Sequence, residues 1–308
     1  MILVVGGTGQ LGARVVTGLV DRGESVRCLV RSGTEDGDLR KLGVEVSRGD
    51  LTQPGTLPPV CEGVTTVVVT ATAISRRLAG AKHPTLREAD EIGMVALVDA
   101  AERAGVQRFV YLSVAGLEDA LNSPLVRAKK AVERRLTDST MRTVIVRPDA
   151  FQDVHLAPLG RFDLKAGKVA VFGQGDCRHR WVSVEDVAQL VVAVAREVDP
   201  PEIIEFGGPE ALSRNETVAL AERLTGRPIK KQRLPRVVAL IGMRLLDRPN
   251  DALASIFGLG LHQDLVEADW DDTPLRSRGI SPRSTTAWLE EQAAYLMLGP
   301  NSVVNPPP

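Results

Sequence analysis

Cysteine is scarce. Cys28, Cys61 and Cys177 are the only three in 308 residues, an odd number without metal-ligand spacing. That count argues against a disulfide framework and a structural zinc site, and it suits a reducing, cytoplasmic setting. No metal is expected elsewhere either, because no two of the histidines and cysteines stand at ligand-like intervals. No apolar run approaches the roughly 20 residues that span a bilayer. No N-terminal signal segment fits, since the first apolar strand begins at residue 2. Neither sign of charge dominates: 38 Lys and Arg face 39 Asp and Glu, a formal net charge of −1. Composition therefore gives no reason to expect nucleic acid or an anionic membrane as partner. Aromatics make up 4% of the chain, and the only tyrosines are Tyr111 and Tyr295, a shortage that matters below.

Glycine, by contrast, is concentrated where it counts. Gly6-Gly7-Thr8-Gly9-Gln10-Leu11-Gly12 follows the apolar run Ile2–Val5 and precedes a stretch with apolar residues at 11, 15, 16, 19 and 20. This is a buried strand, a glycine-dense turn and an amphipathic helix. A helix starting under such a turn presents backbone N–H groups and its positive dipole end, and glycines let a pyrophosphate approach without a Cβ in the way. The spacing of Gly6, Gly9 and Gly12 is a variant of the dinucleotide fingerprint. Gly23 ends the helix and Ser25–Arg31 reads as the second strand, completing a βαβ setting. A ligand-free tight turn is the competing reading. The second strand ends in Leu29-Val30-Arg31-Ser32, with no carboxylate to bind an adenosine 2′-hydroxyl. Arg31 is suited to a 2′-phosphate, which favours NADPH over NADH; a solvated surface arginine is the alternative.

Further strands are expected at Val44–Ser47, Thr65–Thr70, Phe109–Leu112 and Thr143–Val146, with helices at about Thr85–Ala104 and Pro124–Leu136. Strands alternating with helices predict an α/β fold, a Rossmann-type doubly wound parallel sheet, with a small C-terminal α/β lobe over the substrate. Residues 1–150 form the NAD(P)-binding core in this reading. Residues 151–298 complete the sheet and supply the lobe, and 299–308 reads as a disordered tail. In the second part Val169–Phe172, Ile203–Phe206 and Ile229–Leu234 look extended. Helices are expected from Ser183 to about Glu197, with Asp186 placed for capping, and from a capping box at Ser213–Glu216 to Leu224. Val237–Leu246, Ala252–Leu259 and Ser284–Leu298 also look helical.

The stretches Val4–Gly12, Leu29-Val30-Arg31, Gly49-Asp50-Leu51, Phe109–Ser113, Arg147-Pro148 and Trp181–Ala188 resemble the short-chain dehydrogenase/reductase superfamily, in particular its atypical, NmrA-like NAD(P)-binding branch. The resemblance covers about residues 1–225 well. It implies that Gly6, Thr8, Gly9, Gln10, Leu11 and Gly12 wrap the pyrophosphate of NADP(H) and that Arg31 meets the 2′-phosphate. It places Asp50 and Leu51 beside the adenine, Thr70 and Ala71 under the ribose and nicotinamide, and Pro148 and Phe151 along the nicotinamide. Lys129 matches the lysine that bonds the nicotinamide ribose. One departure is decisive: the superfamily's proton-donating tyrosine stands four residues before that lysine, and here that position is Leu125. Neither tyrosine of this chain has a lysine four residues on. A leucine cannot deliver a proton.

Three residues remain as candidates for the chemistry. Lys129 can assist proton transfer if burial lowers its pKa. Ser113 can orient a carbonyl, or simply cap local backbone. His155, expected in a loop that reaches the pocket, titrates near neutrality and is a candidate donor, or else a loop histidine without a ligand. Cys177-Arg178-His179-Arg180-Trp181 reads either as a site for an anionic or aromatic ligand or as a solvated turn anchored by its tryptophan. Its arginines should lower the Cys177 pKa. Val237–Leu246 reads as core or lobe packing in preference to a partner surface. Two functions compete: an NADPH-dependent reductase of a small, quinone-like or polyketide-like substrate, and a non-catalytic NADP(H)-binding regulator or assembly factor. A protein partner or a homodimer is open in both. A nucleotide-sugar epimerase or dehydratase fits worse, because those enzymes also use the missing tyrosine.

Overall fold

Runs of valine and leucine become strands buried on both faces, as parallel sheets demand. In the structure, a computed structural model describing residues 1–298, twelve strands are formed. They are β1 (Ile2–Val5), β2 (Val26–Val30), β3 (Glu45–Arg48), β4 (Thr66–Val69), β5 (Arg108–Leu112), β6 (Arg142–Pro148), β7 (Phe162–Asp163), β8 (Lys168–Phe172), β9 (Arg178–His179), β10 (Ile203–Phe206), β11 (Leu212–Ser213) and β12 (Lys230–Leu234). The expected tail, 299–308, lies outside the described residues. Seven strands form one parallel sheet in the order β10-β6-β5-β4-β1-β2-β3. The chain runs outward from β1 to β3 and then crosses to β4 on the other side of β1. The switch point, where such sheets bind ligands, therefore lies at the end of β1.

The helices are α1 (Gln10–Val20), α2 (Gly37–Lys41), α3 (Leu57–Cys61), α4 (Ile74–Leu78), α5 (Met94–Arg103), α6 (Pro124–Thr137), α7 (Gln152–His155), α8 (Val184–Arg196), α9 (Arg214–Thr225), α10 (Arg236–Leu246), α11 (Asp251–Leu265), α12 (Thr273–Arg276) and α13 (Thr285–Leu298). Alternate residues of β1 serve two cores. Ile2 and Val4 join Val15 and Leu19 of α1 and Val187 and Val191 of α8. Leu3 and Val5 join Leu57 of α3, Leu97 of α5 and Val132 of α6. Each such buried side chain contributes about 1.5–3 kcal/mol. A third core, around Phe162, Val171, Trp181, Val218 and Trp288, underlies the C-terminal lobe. There β12, β8 and β7 make a small sheet and β11 pairs with β9.

Some elements depart from expectation for identifiable reasons. The helix expected at 85–104 is wound as a π turn over Arg87–Gly93 before α5 begins. A Cβ on Gly93 would come within 2.3 Å of the Leu51 carbonyl oxygen, so the loop after β3 presses into this turn. α11 runs six residues past the expected Leu259. Gly258 and Gly260 are close-contact positions, against the Ser123 side chain and the Phe172 ring, and do not break the helix. The Ser213–Glu216 capping box forms as expected. Ser183 caps α8 by accepting from Asp186 N at 3.0 Å, and the Asp186 carboxylate also accepts from Arg283 N. Val237–Leu246 packs on α11 of the lobe through Ala239 and Met243, its buried residues, while Val237, Val238, Ile241 and Leu245 stay exposed. Among the described residues no helix is long and apolar enough to cross a membrane.

Candidate active site

The C-terminal ends of neighbouring strands line up one row of residues. In sheet order the row runs Pro148 (β6), Ser113 (after β5), Thr70 (after β4), Gly6 (after β1), Arg31 (after β2) and Asp50 (after β3). Strands lie about 4.8 Å apart, so the row spans roughly 24 Å. At its centre is the glycine turn. Gly6 has φ +101°, and a Cβ there would lie 2.7 Å from Ala71 N and 2.8 Å from Thr70 Oγ1. A Cβ on Gly12 would lie 2.0 Å from the Gly6 carbonyl oxygen. Both glycines are therefore required by the approach of α1 to the sheet edge. Gly9 N donates to Gly6 O at 2.9 Å, and Thr70 N and Ala71 N both donate to Val5 O. No side chain caps the start of α1 and no acidic residue stands in its first turn, so its positive end faces outward from Thr8, Gly9 and Gln10, all exposed. Leu11 is buried and anchors the helix.

The Arg31 side chain has no partner among the described residues. Arg48, which sequence reasoning passed over, explains why. It donates to the Arg31 and Thr34 carbonyls and pairs with Asp36 at 2.6 Å, fixing this loop and leaving the Arg31 guanidinium open. Asp50 uses one carboxylate oxygen to accept from Thr52 N and Oγ1, each at 2.8 Å. Leu51 packs partly buried against the second core.

At the other end of the row, Lys129 is buried on α6. Its Nζ donates to Leu112 O at 2.6 Å and sits 4.6 Å from the centroid of the Tyr111 ring. Burial lowers its pKa, opposed by the charges of Asp90 and Glu133. Ser113 follows Leu112 directly; it is buried and its Oγ has no partner among the described residues. Asp90, from the π turn, accepts from Ala73 N at 2.8 Å, and burial raises its pKa against the Lys129 charge and a hydrogen bond from the Thr72 side chain; its Oδ1 has no partner among the described residues. Leu125, in the tyrosine's place, fills an apolar cluster with Ala73, Leu86 and Ala89. Pro148 is buried, its carbonyl accepting from Ala115 N, and Phe151 bridges to Val182.

His155 does not join this row. It ends α7, its ring 6.1 Å from that of Trp181 and its Nδ1 3.4 Å from Gln263 Nε2. Burial, helped by Arg214, lowers its pKa to about 4, so it is uncharged at neutral pH and the expectation of near-neutral titration fails. The 177–181 segment is not a solvated turn: His179 and Trp181 are buried. Burial, with Asp264 and Glu267 nearby, raises the Cys177 pKa where its arginines were expected to lower it. Arg178 is spent on Glu216, and Arg180 on the Gly208 and Pro209 carbonyls.

Sequence reasoning also missed a constellation around Asp149, the residue after Pro148. Its carboxylate accepts from Ala150 N (2.7 Å), Arg180 N (2.7 Å) and Trp270 Nε1 (3.0 Å), and lies 3.5 Å from His179 Nδ1. His179 Nε2 meets Gln263 O at 2.8 Å. Desolvation opposes the pair's charges, yet Asp149 ends below and His179 above its ordinary pKa because each stabilises the other. His262 lies against Gly116 in the loop after Ser113, with neither ring nitrogen partnered. The signals available were the position of Asp149 beside Pro148 and the histidine of the 177–181 segment.

α11 packs on these pieces, with Leu259 against the cluster of Ala73, Leu86, Ala89 and Leu125, Gly258 against Ser123 and His262 against Gly116. Its ends are fastened: Asp251 binds Arg77 Nε (2.7 Å) and Leu86 N (2.6 Å), and Asp264 binds Gln174 N, Gly175 N and Arg236. A groove of about 1160 Å³ runs along α6 past Arg87, Glu91, Arg127 and Arg134, and includes none of the glycine turn. The strand-end row, with its open amides and unpartnered buried groups, is the better candidate. Among the described residues no cluster of three histidine, cysteine or carboxylate side chains is placed to hold a metal ion.

A family model described as NAD(P)H-binding matches residues 6–198. The photosystem II assembly factor Ycf39 of Trieres chinensis is 31% identical over 76% of this chain and 72% of its own. An NAD(P)H azoreductase of Xenophilus azovorans is 29% identical over 87% of this chain and 84% of its own. Among solved structures, Citrobacter sp. triphenylmethane reductase complexed with NADP(H) superposes with a TM-score of 0.74 at 18% identity, covering 95% of this chain and 100% of that one.

Proposed function

The chain belongs to the NAD(P)H-binding family, and from that premise we propose that it is an NADPH-dependent reductase of a small, quinone-like or polyketide-like acceptor. The strand-end residues fit the cofactor: Gly6 and Gly12 bring the start of α1 against the sheet edge, where a Cβ on either would collide with Ala71 N or the Gly6 carbonyl, and Arg31 is a cation without a side-chain partner among the described residues where a 2′-phosphate would lie. Gly6, Thr8, Gly9, Gln10, Leu11 and Gly12 hold the pyrophosphate in this reading. Asp50 and Leu51 border the adenine, Thr70 and Ala71 the ribose, and Pro148 and Phe151 the nicotinamide. When bound, the dinucleotide supplies a hydride.

The observation that carries the proposal is the pairing of Lys129 and Ser113 within one peptide unit. Lys129 Nζ is held on Leu112 O, and the next residue offers a buried, unpartnered hydroxyl. The Ser113 hydroxyl donates to the acceptor's oxygen and orients it. The Lys129 ammonium, made more acidic by burial, stabilises the developing anion and passes it a proton. An electron-poor acceptor suits such a site, because its reduced anion needs less help than a simple alkoxide. The azoreductase relative supports an acceptor of that kind.

A second reading, a non-catalytic NADP(H)-binding assembly factor or regulator, is favoured by the apolar packing of Leu125 and by the assembly-factor relative. One set of measurements separates the two. NADPH should bind more tightly than NADH, with Arg31→Ala removing most of the preference. NADPH should be consumed with members of a panel of quinones, azo dyes and enones. Ser113→Ala should lower kcat about a hundredfold while NADPH affinity is kept. Equal affinities for the two cofactors refute the role of Arg31, and no consumption with any acceptor turns the reading to the second function.

A further inference from the structure

A net charge of −1 hides strong segregation. From Arg227 to Arg248 the chain carries seven cationic side chains and one acidic one, Asp247. Asp247 is occupied by Arg127 of α6. Arg236 is neutralised by Asp264, whereas Arg233 donates only to carbonyls and keeps its charge. Arg227, Lys230, Arg244 and Arg248 have no side-chain partner among the described residues.

This segment also exposes an aliphatic ridge. α10 is held to α11 through its buried face, where Ala239 and Met243 lie and where Gly242 meets the Phe257 ring. The opposite face shows Val237 at 66% exposure, Val238 at 49%, Ile241 at 51% and Leu245 at 72%. Positions 237, 241 and 245 recur every four residues and share one side of the helix with 244 and 248. Immediately before α10, edge strand β12 leaves Lys230, Lys231, Gln232 and Arg233 exposed.

We propose that α10 and β12 form a docking surface for an anionic lipid bilayer. Val237, Ile241 and Leu245 enter the boundary between headgroups and acyl chains, and Lys230, Arg244 and Arg248 meet the lipid phosphates. Charge complementarity selects this occupant. Nucleic acid would match the cations but leave the aliphatic ridge wet, and residues 227–248 contain no aromatic side chain on which a base could stack. A protein partner would draw its binding energy mainly from aromatic anchors in shaped pockets, and the exposed apolar side chains of this ridge are all aliphatic. A fluid bilayer accepts a convex aliphatic ridge among cations without shape matching. At 11 residues, roughly 16 Å, α10 is far too short to span, so it lies in the surface plane. The proposal is independent of what the strand-end site reduces.

The test is co-sedimentation of the full chain with vesicles of phosphatidylcholine alone or mixed with phosphatidylglycerol, at low and high salt. Binding to the mixed vesicles, weakened by salt, is expected. Arg244→Ala with Arg248→Ala should weaken it about 30-fold. Ile241→Ser with Leu245→Ser should abolish it, while NADPH titration of both variants matches the parent and certifies the fold. Equal partition onto neutral vesicles, no partition onto either, or an unchanged arginine variant overturns the proposal. So does a concentration-dependent dimer, without lipid, that Leu245→Ser dissolves, because a second copy then covers the ridge. Binding to an RNA homopolymer but to no vesicle overturns it as well.

Discussion

Replacing Gly12 by alanine tests the geometry on which the cofactor assignment rests. The new Cβ would sit 2.0 Å from the Gly6 carbonyl oxygen, 2.6 Å from its carbon and 2.8 Å from Thr70 Oγ1. Ordinary contact begins near 3.4 Å, so α1 and the turn must part by more than an ångström. The turn cannot give way cheaply, since Gly6 is pinned by Gly9 N and already crowds Ala71. The helix start has to move, and its amides leave the line of the sheet edge. Losing two hydrogen bonds to a charged group costs about 3 kcal/mol or more, roughly 150-fold in Kd for NADPH. Overpacking should also cost about 1–3 kcal/mol of stability, visible as a lower Tm. Gly23→Ala is the matched control at the other end of the same helix. Gly23 has φ +77° with nothing within 4 Å, so alanine there strains the backbone by about 1 kcal/mol without reaching the cofactor. Calorimetric titration and thermal melts on both variants separate the effects. A folded Gly12→Ala protein that binds NADPH within about threefold of the parent refutes the reasoning.

Two further outcomes follow from the burial of particular side chains. Leu125→Tyr, which restores the superfamily's residue, should cost about 1–3 kcal/mol because Ala73, Leu86 and Ala89 already fill that space; a faster reductase would contradict this packing argument. His155 sets an acid limit. The unfolded chain takes up its proton near the ordinary value of 6.5, the folded one only near 4, so its contribution to stability is complete above 6.5 and fades as pH falls between those values, by up to about 3 kcal/mol. The groups around it work in different directions: Arg214 and His179 lower its pKa and Asp149 raises it. His179, whose folded pKa is raised, contributes in the opposite sense, fully below 6.5 and lost as pH climbs through its folded value. Urea denaturation of parent and His155→Asn from neutral to acid pH should show a flatter profile for the variant, and an unchanged slope would count against the assignment.

The seven-stranded sheet was readable because its inner strands bury both faces and so carry apolar runs, Ile2–Val5 being the clearest. The strand-end row was readable for a related reason. In a parallel sheet every strand ends on the same edge, so Gly6, Arg31, Asp50, Thr70, Ser113 and Pro148 needed only their own strands to be identified. The Asp149 constellation was not readable. Asp149 and Trp270 are 121 residues apart, and no local period reports that they meet. The near-neutral titration expected of His155 failed for want of burial, and the direction for Cys177 failed because Arg178 and Arg180, counted as charges beside it, are engaged elsewhere. α11 runs on past the expected Leu259 through Gly260, whose close approach to the Phe172 ring no local pattern reports.

α11 is riveted at each tip by a carboxylate, Asp251 to the segment after β4 and Asp264 to the turn after β8. A rod fixed at both tips can bow but cannot swing open like a flap. The spacing between α11 and the loop after β5, where His262 meets Gly116, is thus set once, when the chain folds.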